Sequence, residues 1–129
     1  MRDDPCPCGG GAYAACCGPY HAGGEAPTAE ALMRSRYSAF ARADASYLIR
    51  TSHPHLRART SVRDLQPSFA AGWCGLEILA VVDGGPGDRT GEVHFRARHR
   101  TGMLEERSRF VRATDGAWLY RDGLGTVSG

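Results

Sequence analysis

Four of the chain's five cysteines crowd near the N-terminus as Cys6-Pro7-Cys8 and Cys16-Cys17, in a stretch that cannot fold by burying apolar surface. Residues 1–27 are rich in glycine, carry Pro5, Pro7, Pro19 and Pro27, and show no apolar periodicity. Such a segment needs a staple in place of a core. Thiolates are soft ligands that suit tetrahedral zinc at about 2.3 Å, and iron is the competing ion. Gly9, Gly10 and Gly11 lack side chains, so the chain can close tightly on an ion and offer backbone N–H groups to the sulfurs. Four thiolates leave no open coordination position, so the expected role is structural. The competing readings are unrelated free thiols, or a redox pair such as a strained disulfide between Cys16 and Cys17. The density of cysteines without a core favours a metal. His21 is the alternative ligand for one position. Cys74, beside Trp73, reads as a buried apolar residue.

The 129 residues suit one domain with a short appendage. No apolar run is long enough to span a bilayer, and the first residues lack the apolar stretch of a signal peptide. The expectation is a cytoplasmic protein without membrane contact, its thiols kept reduced. The net charge of +2 is too small to argue for nucleic acid. All 16 basic residues are arginine, a bias that fits a GC-rich genome and weakens the arginines as a functional signal.

Helical patterning begins with Thr28 as N-cap and Glu30 in the first turn. Leu32, Met33, Tyr37, Phe40 and Ala41 form the stripe, with Arg34, Ser35, Arg36 and Ser38 between them. Asp44 caps a second helix that ends before Pro54, and Ser61 with Asp64 caps a third that ends near Phe69 or Ala70. From Trp73 the period becomes two. Strands are expected over residues 76–82, 91–99, 104–112 and 117–121, with turns at Asp83–Asp88, Thr101-Gly102 and Thr114–Gly116. Val93, Phe95 and Ala97 share one face, as do Leu104, Glu106, Ser108 and Phe110, and Trp118 and Tyr120. Helices followed by hairpin-linked strands imply an α+β fold in which a curved antiparallel sheet covers the helices, as a cone or half-barrel.

The string from Cys6 to His21 resembles the SEC-C motif, named for the metal-binding tail of the SecA translocase. Leu32-Met-Arg-Ser-Arg-Tyr-Ser-Ala-Phe40, Tyr47-Leu48, Thr51-Ser52-His53-Pro54, Glu106-Arg-Ser-Arg-Phe110 and Trp118-Leu-Tyr-Arg-Asp-Gly123 resemble the YchJ family. The resemblance spans essentially the whole chain. It implies a SEC-C zinc knuckle over residues 1–27, joined to a cone-like domain over 28–129 similar to nuclear transport factor two and the SnoaL cyclases. It implies no particular activity. The loop between Cys8 and Cys16 holds seven residues, one fewer than the usual SEC-C spacing. Some family members carry a second SEC-C motif near the C-terminus; none follows here, so one metal ion is expected.

A cone of this kind holds a pocket between sheet and helices, a natural ligand site. Its polar candidates are Arg34, Arg36, Tyr37 and His53 from the helices, and Glu106 and Ser108 from the sheet. A buried Glu–Arg or Glu–His pair there serves acid–base chemistry or simply ties helix to sheet, and the structural reading is preferred. His94 and His99 are expected to be exposed strand residues; Arg96, Arg98, Arg107 and Arg109 form a basic face if neighbouring strands align them, and cross-strand pairing with Glu92 and Glu105 is the preferred reading. The leading functional expectation is a binding or adaptor module with a protein partner, since SEC-C segments resemble those that contact the SecB chaperone or the ribosome. A small-molecule binder or enzyme using the pocket is the alternative, and nucleic-acid binding a weaker one. No nucleophile–base pair, phosphate loop or cofactor fingerprint favours an enzyme.

Overall fold

A computed structural model describes residues 4–128, with side chains as far as Gly123. A short 3-10 turn, Tyr13–Ala15, precedes five helices: α1 (Gly18–His21), α2 (Ala29–Ala41), α3 (Ala45–Arg50), α4 (Pro54–Arg57) and α5 (Val62–Phe69). Four strands follow: β1 (Gly75–Asp83), β2 (Thr90–His99), β3 (Gly102–Arg112) and β4 (Trp118–Ser128). They form one curved antiparallel sheet in sequence order, β1-β2-β3-β4. Irregular register at Ile78/Ala80 and Arg109/Phe110 interrupts two of the ladders, which raises local twist.

Local chemistry sets the helix starts. Thr28 accepts a hydrogen bond from the Ala31 amide and Asp44 accepts one from Tyr47. Ser61 and Asp64 form a reciprocal capping box. Strand alternation sends Val93, Phe95, Ala97, Ser108, Phe110 and Trp118 inward, all buried. The same alternation corrects one expectation: Trp73 turns into the aromatic cluster with Tyr37 and Phe40, which sends Cys74 outward, where it is exposed.

α2 lies at the centre of the molecule. One side faces the sheet and the other faces the cysteine segment and α3, so Ser35, Arg36 and Ser38 are buried along with Leu32, Met33 and Tyr37. The single apolar stripe read from the sequence is therefore too narrow, and Ala41, assigned to it, is exposed. The last strand runs to Ser128, seven residues beyond the expected end at Arg121, and α4 was not anticipated. After α3 the chain passes along the last strand: the Tyr120 amide donates to Thr51 O at 2.8 Å and the His53 amide to Tyr120 O at 2.8 Å. No helix among the described residues is long and apolar enough to cross a membrane.

Candidate functional site

The cysteine segment folds as a small hairpin. The Cys6 amide donates to Gly11 O at 2.7 Å and the Gly9 amide to Cys6 O at 3.0 Å, below a single bridge between Pro5 and Ala12. The 3-10 turn and the start of α1 then bring Cys16 and Cys17 back, and all four sulfurs lie within 4.8 Å of one another. The separations are 3.5 Å for Cys8–Cys16, 3.7 Å for Cys8–Cys17 and 4.0 Å for Cys16–Cys17, and none is a disulfide. A tetrahedral ion with sulfurs at about 2.3 Å would hold them about 3.8 Å apart, so the donor set fits one ion with little adjustment. Gly10 is the close approach that permits this: a Cβ there would lie 2.8 Å from Cys16 Sγ and 3.3 Å from Cys8 Sγ. The seven-residue loop thus still brings its cysteines to one point.

The sulfurs share their protons unequally. The hydrogen bond from Cys17, aided by Cys16, the Gly10 backbone and Cys6, pulls the Cys8 thiol down to about 4 despite its burial. Burial and the same cluster push Cys16 up to about 11, and Cys17 is raised chiefly by its hydrogen bond to Cys8. A divalent cation bound by these sulfurs would displace thiol protons.

The segment is docked on α2. Cys6, Cys8 and Cys17 are buried. Ser38 Oγ donates to Cys17 Sγ at 3.3 Å and lies 3.3 Å from Cys6 Sγ. Arg34 pairs with Glu30 at 3.0 Å and donates to Cys8 O at 3.3 Å. His21 is not aimed at the sulfurs: its Nδ1 meets Tyr13 OH at 2.6 Å and its Nε2 meets Ser35 O at 2.8 Å.

A cavity of about 280 Å³ lies between α2 and the sheet. Its walls are apolar at Met33, Phe40, Trp73, Phe95 and Leu104, and polar at Arg36, Tyr37, Glu106, Ser108 and Tyr120. Of the residues read from the sequence as pocket candidates, Arg36, Tyr37, Glu106 and Ser108 line it. Arg34 and His53 do not: Arg34 serves the cysteine hairpin, and His53 caps α4, its Nδ1 accepting from the His55 amide. Positions two apart on a helix point to opposite sides, so Arg34 and Arg36 cannot both face one cavity. Sequence reading missed Ser38, although it lies two positions from Arg36, and Tyr120, although alternation with Trp118 put it on the inner face.

Arg36 and Glu106 form no ion pair with each other. Arg36 donates through one terminal nitrogen only, to Leu48 O at 2.9 Å, Thr51 Oγ1 at 2.8 Å and Ser52 Oγ at 3.4 Å. Its guanidinium carbon lies 4.5 Å from the centre of the Tyr120 ring. Burial pulls it down to about 10, so it stays a cation at neutral pH. Glu106 Oε2 accepts from Ser108 Oγ at 2.7 Å and from Tyr120 OH at 3.1 Å. Burial, then the Glu106 charge, raises Tyr120 and keeps its phenol protonated. Gly123 makes room for this group, since a Cβ there would overlap the Glu106 carboxylate.

The outer sheet face is largely neutralised. Arg96 pairs with Glu105 at 3.0 Å, Arg107 with Glu92 at 3.8 Å and Arg109 with Asp122 at 2.6 Å. His94 meets Glu105 at 2.7 Å, and His99 packs edge-on against Trp73, so both histidines are half-buried instead of exposed.

Known proteins match this arrangement along the chain. A UPF0225 protein of Streptomyces coelicolor is 56% identical over 125 residues, covering 95% of this chain and 97% of that one. A UPF0225 protein of Xanthomonas oryzae is 48% identical over 128 residues, covering 95% of each. The solution structure of a SEC-C motif containing protein from Rhodopseudomonas palustris superposes with a TM-score of 0.84 at 33% identity, over 95% of this chain and 99% of that one. The crystal structure of a SEC-C motif containing protein from Psychrobacter arcticus gives the same TM-score of 0.84 at 28% identity, over 99% and 86%. The family model described as the YchJ middle NTF2-like domain matches residues 28–123, the part that begins at the cap of α2 and carries the cavity. With the cysteine hairpin packed on that domain, the chain belongs to the YchJ family.

Proposed function

We propose that the four sulfurs hold one zinc ion as a structural staple, and that the domain it braces binds a small molecule in the cavity between α2 and the sheet. Zinc suits a closed, tetrahedral thiolate site because it needs no redox partner and has no geometric preference of its own. The observation that supports a ligand site is the one-sided bonding of Arg36. All its hydrogen bonds leave from one terminal nitrogen, while Nε and the other terminal nitrogen have no partner among the described residues. No fully buried side-chain nitrogen or oxygen lacks a partner among those residues, so these two atoms meet open space, and the cavity is the space Arg36 lines. Arg36 is 7% exposed as a residue, and a buried arginine with half its guanidinium fork unbonded among the described residues suits recognition. Metal analysis of the purified protein and a fragment screen by amide chemical-shift mapping test both halves. One zinc per chain and fragment-induced shifts clustered on α2, β3 and β4 are expected; metal-free folded protein, or fragments that shift only surface amides, would overturn the corresponding half.

The cysteine segment supports a second reading, docking to a protein partner. Gly9, Gly10, Gly11 and Ala12 are exposed at the tip of the hairpin, so a partner would meet this loop instead of the sulfurs. Affinity capture with wild-type and Cys6→Ser protein tests it, and identical partner lists would remove it.

A further inference from the structure

We propose that the cavity accepts a small aromatic hydroxycarboxylic acid, its carboxylate on the free edge of Arg36 and its hydroxyl on Glu106. The inference rests on the reading of the cavity as a ligand site and names the class of ligand. Size comes first. At about 280 Å³ the space holds about nine waters, or an organic molecule of about a dozen non-hydrogen atoms, well below drug size. Shape comes next. Phe40, Trp73 and Tyr37 meet at tilted or edge-on angles, with ring centres 6.2 Å apart for Tyr37–Trp73 and 6.4 Å for Phe40–Trp73, and Phe95 adds a fourth aromatic wall. Such walls take a flat ring.

The polar ends then fix the substituents. Arg36 keeps two adjacent donors free and has no carboxylate partner among the described residues, so a ligand carboxylate completes a two-pronged pair. Glu106 uses Oε2 twice and leaves Oε1 without a hydrogen bond among the described residues, and a carboxylate can only accept. It therefore calls for a donor on the ligand, and it turns away a second negative charge, so a mono-acid fits and a di-acid does not. Tyr120 separates the two subsites, with its ring beside Arg36 and its hydroxyl on Glu106. The ligand's two polar groups accordingly sit at opposite ends of its ring.

The test uses the full-length, metal-loaded protein and titration calorimetry with four probes: 4-hydroxyphenylacetate, phenylacetate, 4-hydroxyphenylacetamide and tyramine. The hydroxy acid is expected to bind most tightly. The amide, which loses the charge, should be about tenfold or more weaker, and tyramine, of opposite charge, weaker still. Glu106→Gln should abolish the preference for the hydroxy acid over phenylacetate. Arg36→Met should abolish the preference for acid over amide; should that variant not fold, the probe series on the wild type still decides. Amide and tyramine binding as tightly as the acid would overturn the ligand class and leave the cavity reading standing. No probe binding at millimolar concentration would overturn the ligand class, and the fragment screen decides the cavity reading separately.

Discussion

The Tyr120 hydroxyl donates to Glu106 Oε2 at 3.1 Å, although the two residues are 14 positions apart and on neighbouring strands. Tyr120→Phe removes only that hydrogen bond and keeps the ring beside Arg36. The expected loss is about 1 kcal/mol, a fall in melting temperature of about 4 °C, read by calorimetry. A larger loss would mean that the hydroxyl also orders the chain between α3 and α4.

Ser38→Ala takes away the hydroxyl that contacts Cys17 and Cys6 and leaves all four cysteines in place. Supporting residues of this kind are worth about 10- to 100-fold in metal affinity. Competition with a chromophoric chelator should show a loss in that range, with secondary structure by circular dichroism unchanged. An affinity equal to wild type would mean that the hydroxyl plays no part in holding the cage.

Gly10→Ala places a methyl group 2.8 Å from Cys16 Sγ, closer than such contacts normally come. The hairpin must open to accept it. Metal content per chain should fall while the sheet remains folded, and hydrogen exchange should rise first in the amides of residues 6–21.

Gly123→Ala drives the Glu106 carboxylate off its site, away from Ser108 and Tyr120. The side chain can swing, so the protein should fold with a loss of about 1 kcal/mol or less. Amide shifts should concentrate at Ser108 and Tyr120.

Acid should weaken the outer sheet face. The two-pronged bond from Arg109 holds Asp122 below the usual carboxylate range, and the bonds from Arg96 and then His94 do the same for Glu105. Folded values below the unfolded ones mean that this stability is present above about pH 4 and is lost as pH falls through the folded values. Both carboxylates are solvent-accessible, so the effect is small and salt should shrink it. Urea midpoints compared at neutral and acid pH, at low and high salt, should show this, and Asp122→Asn should flatten part of the acid slope.

Much of the fold was legible because its causes are local. Thr28, Asp44 and Ser61 with Asp64 announce three helix starts within a turn of themselves, and strict alternation placed Val93, Phe95, Ser108 and Phe110 on the buried face. What escaped depends on distant neighbours. Ser35 and Ser38 fall outside the apolar stripe of α2, because nothing near them in sequence says that a cysteine hairpin and α3 will cover that side. β4 was cut short because Gly123 and Gly125 lower strand propensity, which pairing with β3 overrides. For the candidate site, the four cysteines were legible from spacing, whereas the cavity's polar set depended on which helix face turned inward. That choice excluded Arg34, whereas Tyr120 follows from strand alternation with Trp118.

α2 carries Ser38 to the sulfurs on one flank and Arg36 and Tyr37 to the cavity on the other. A rigid rod clamped at both sides has no private motions. Any roll that loosens the sulfur cage also swings the guanidinium fork away from the place where an acid would dock. The shaft is thus a common axle: a change of its angle at one flank is a change of angle at the other.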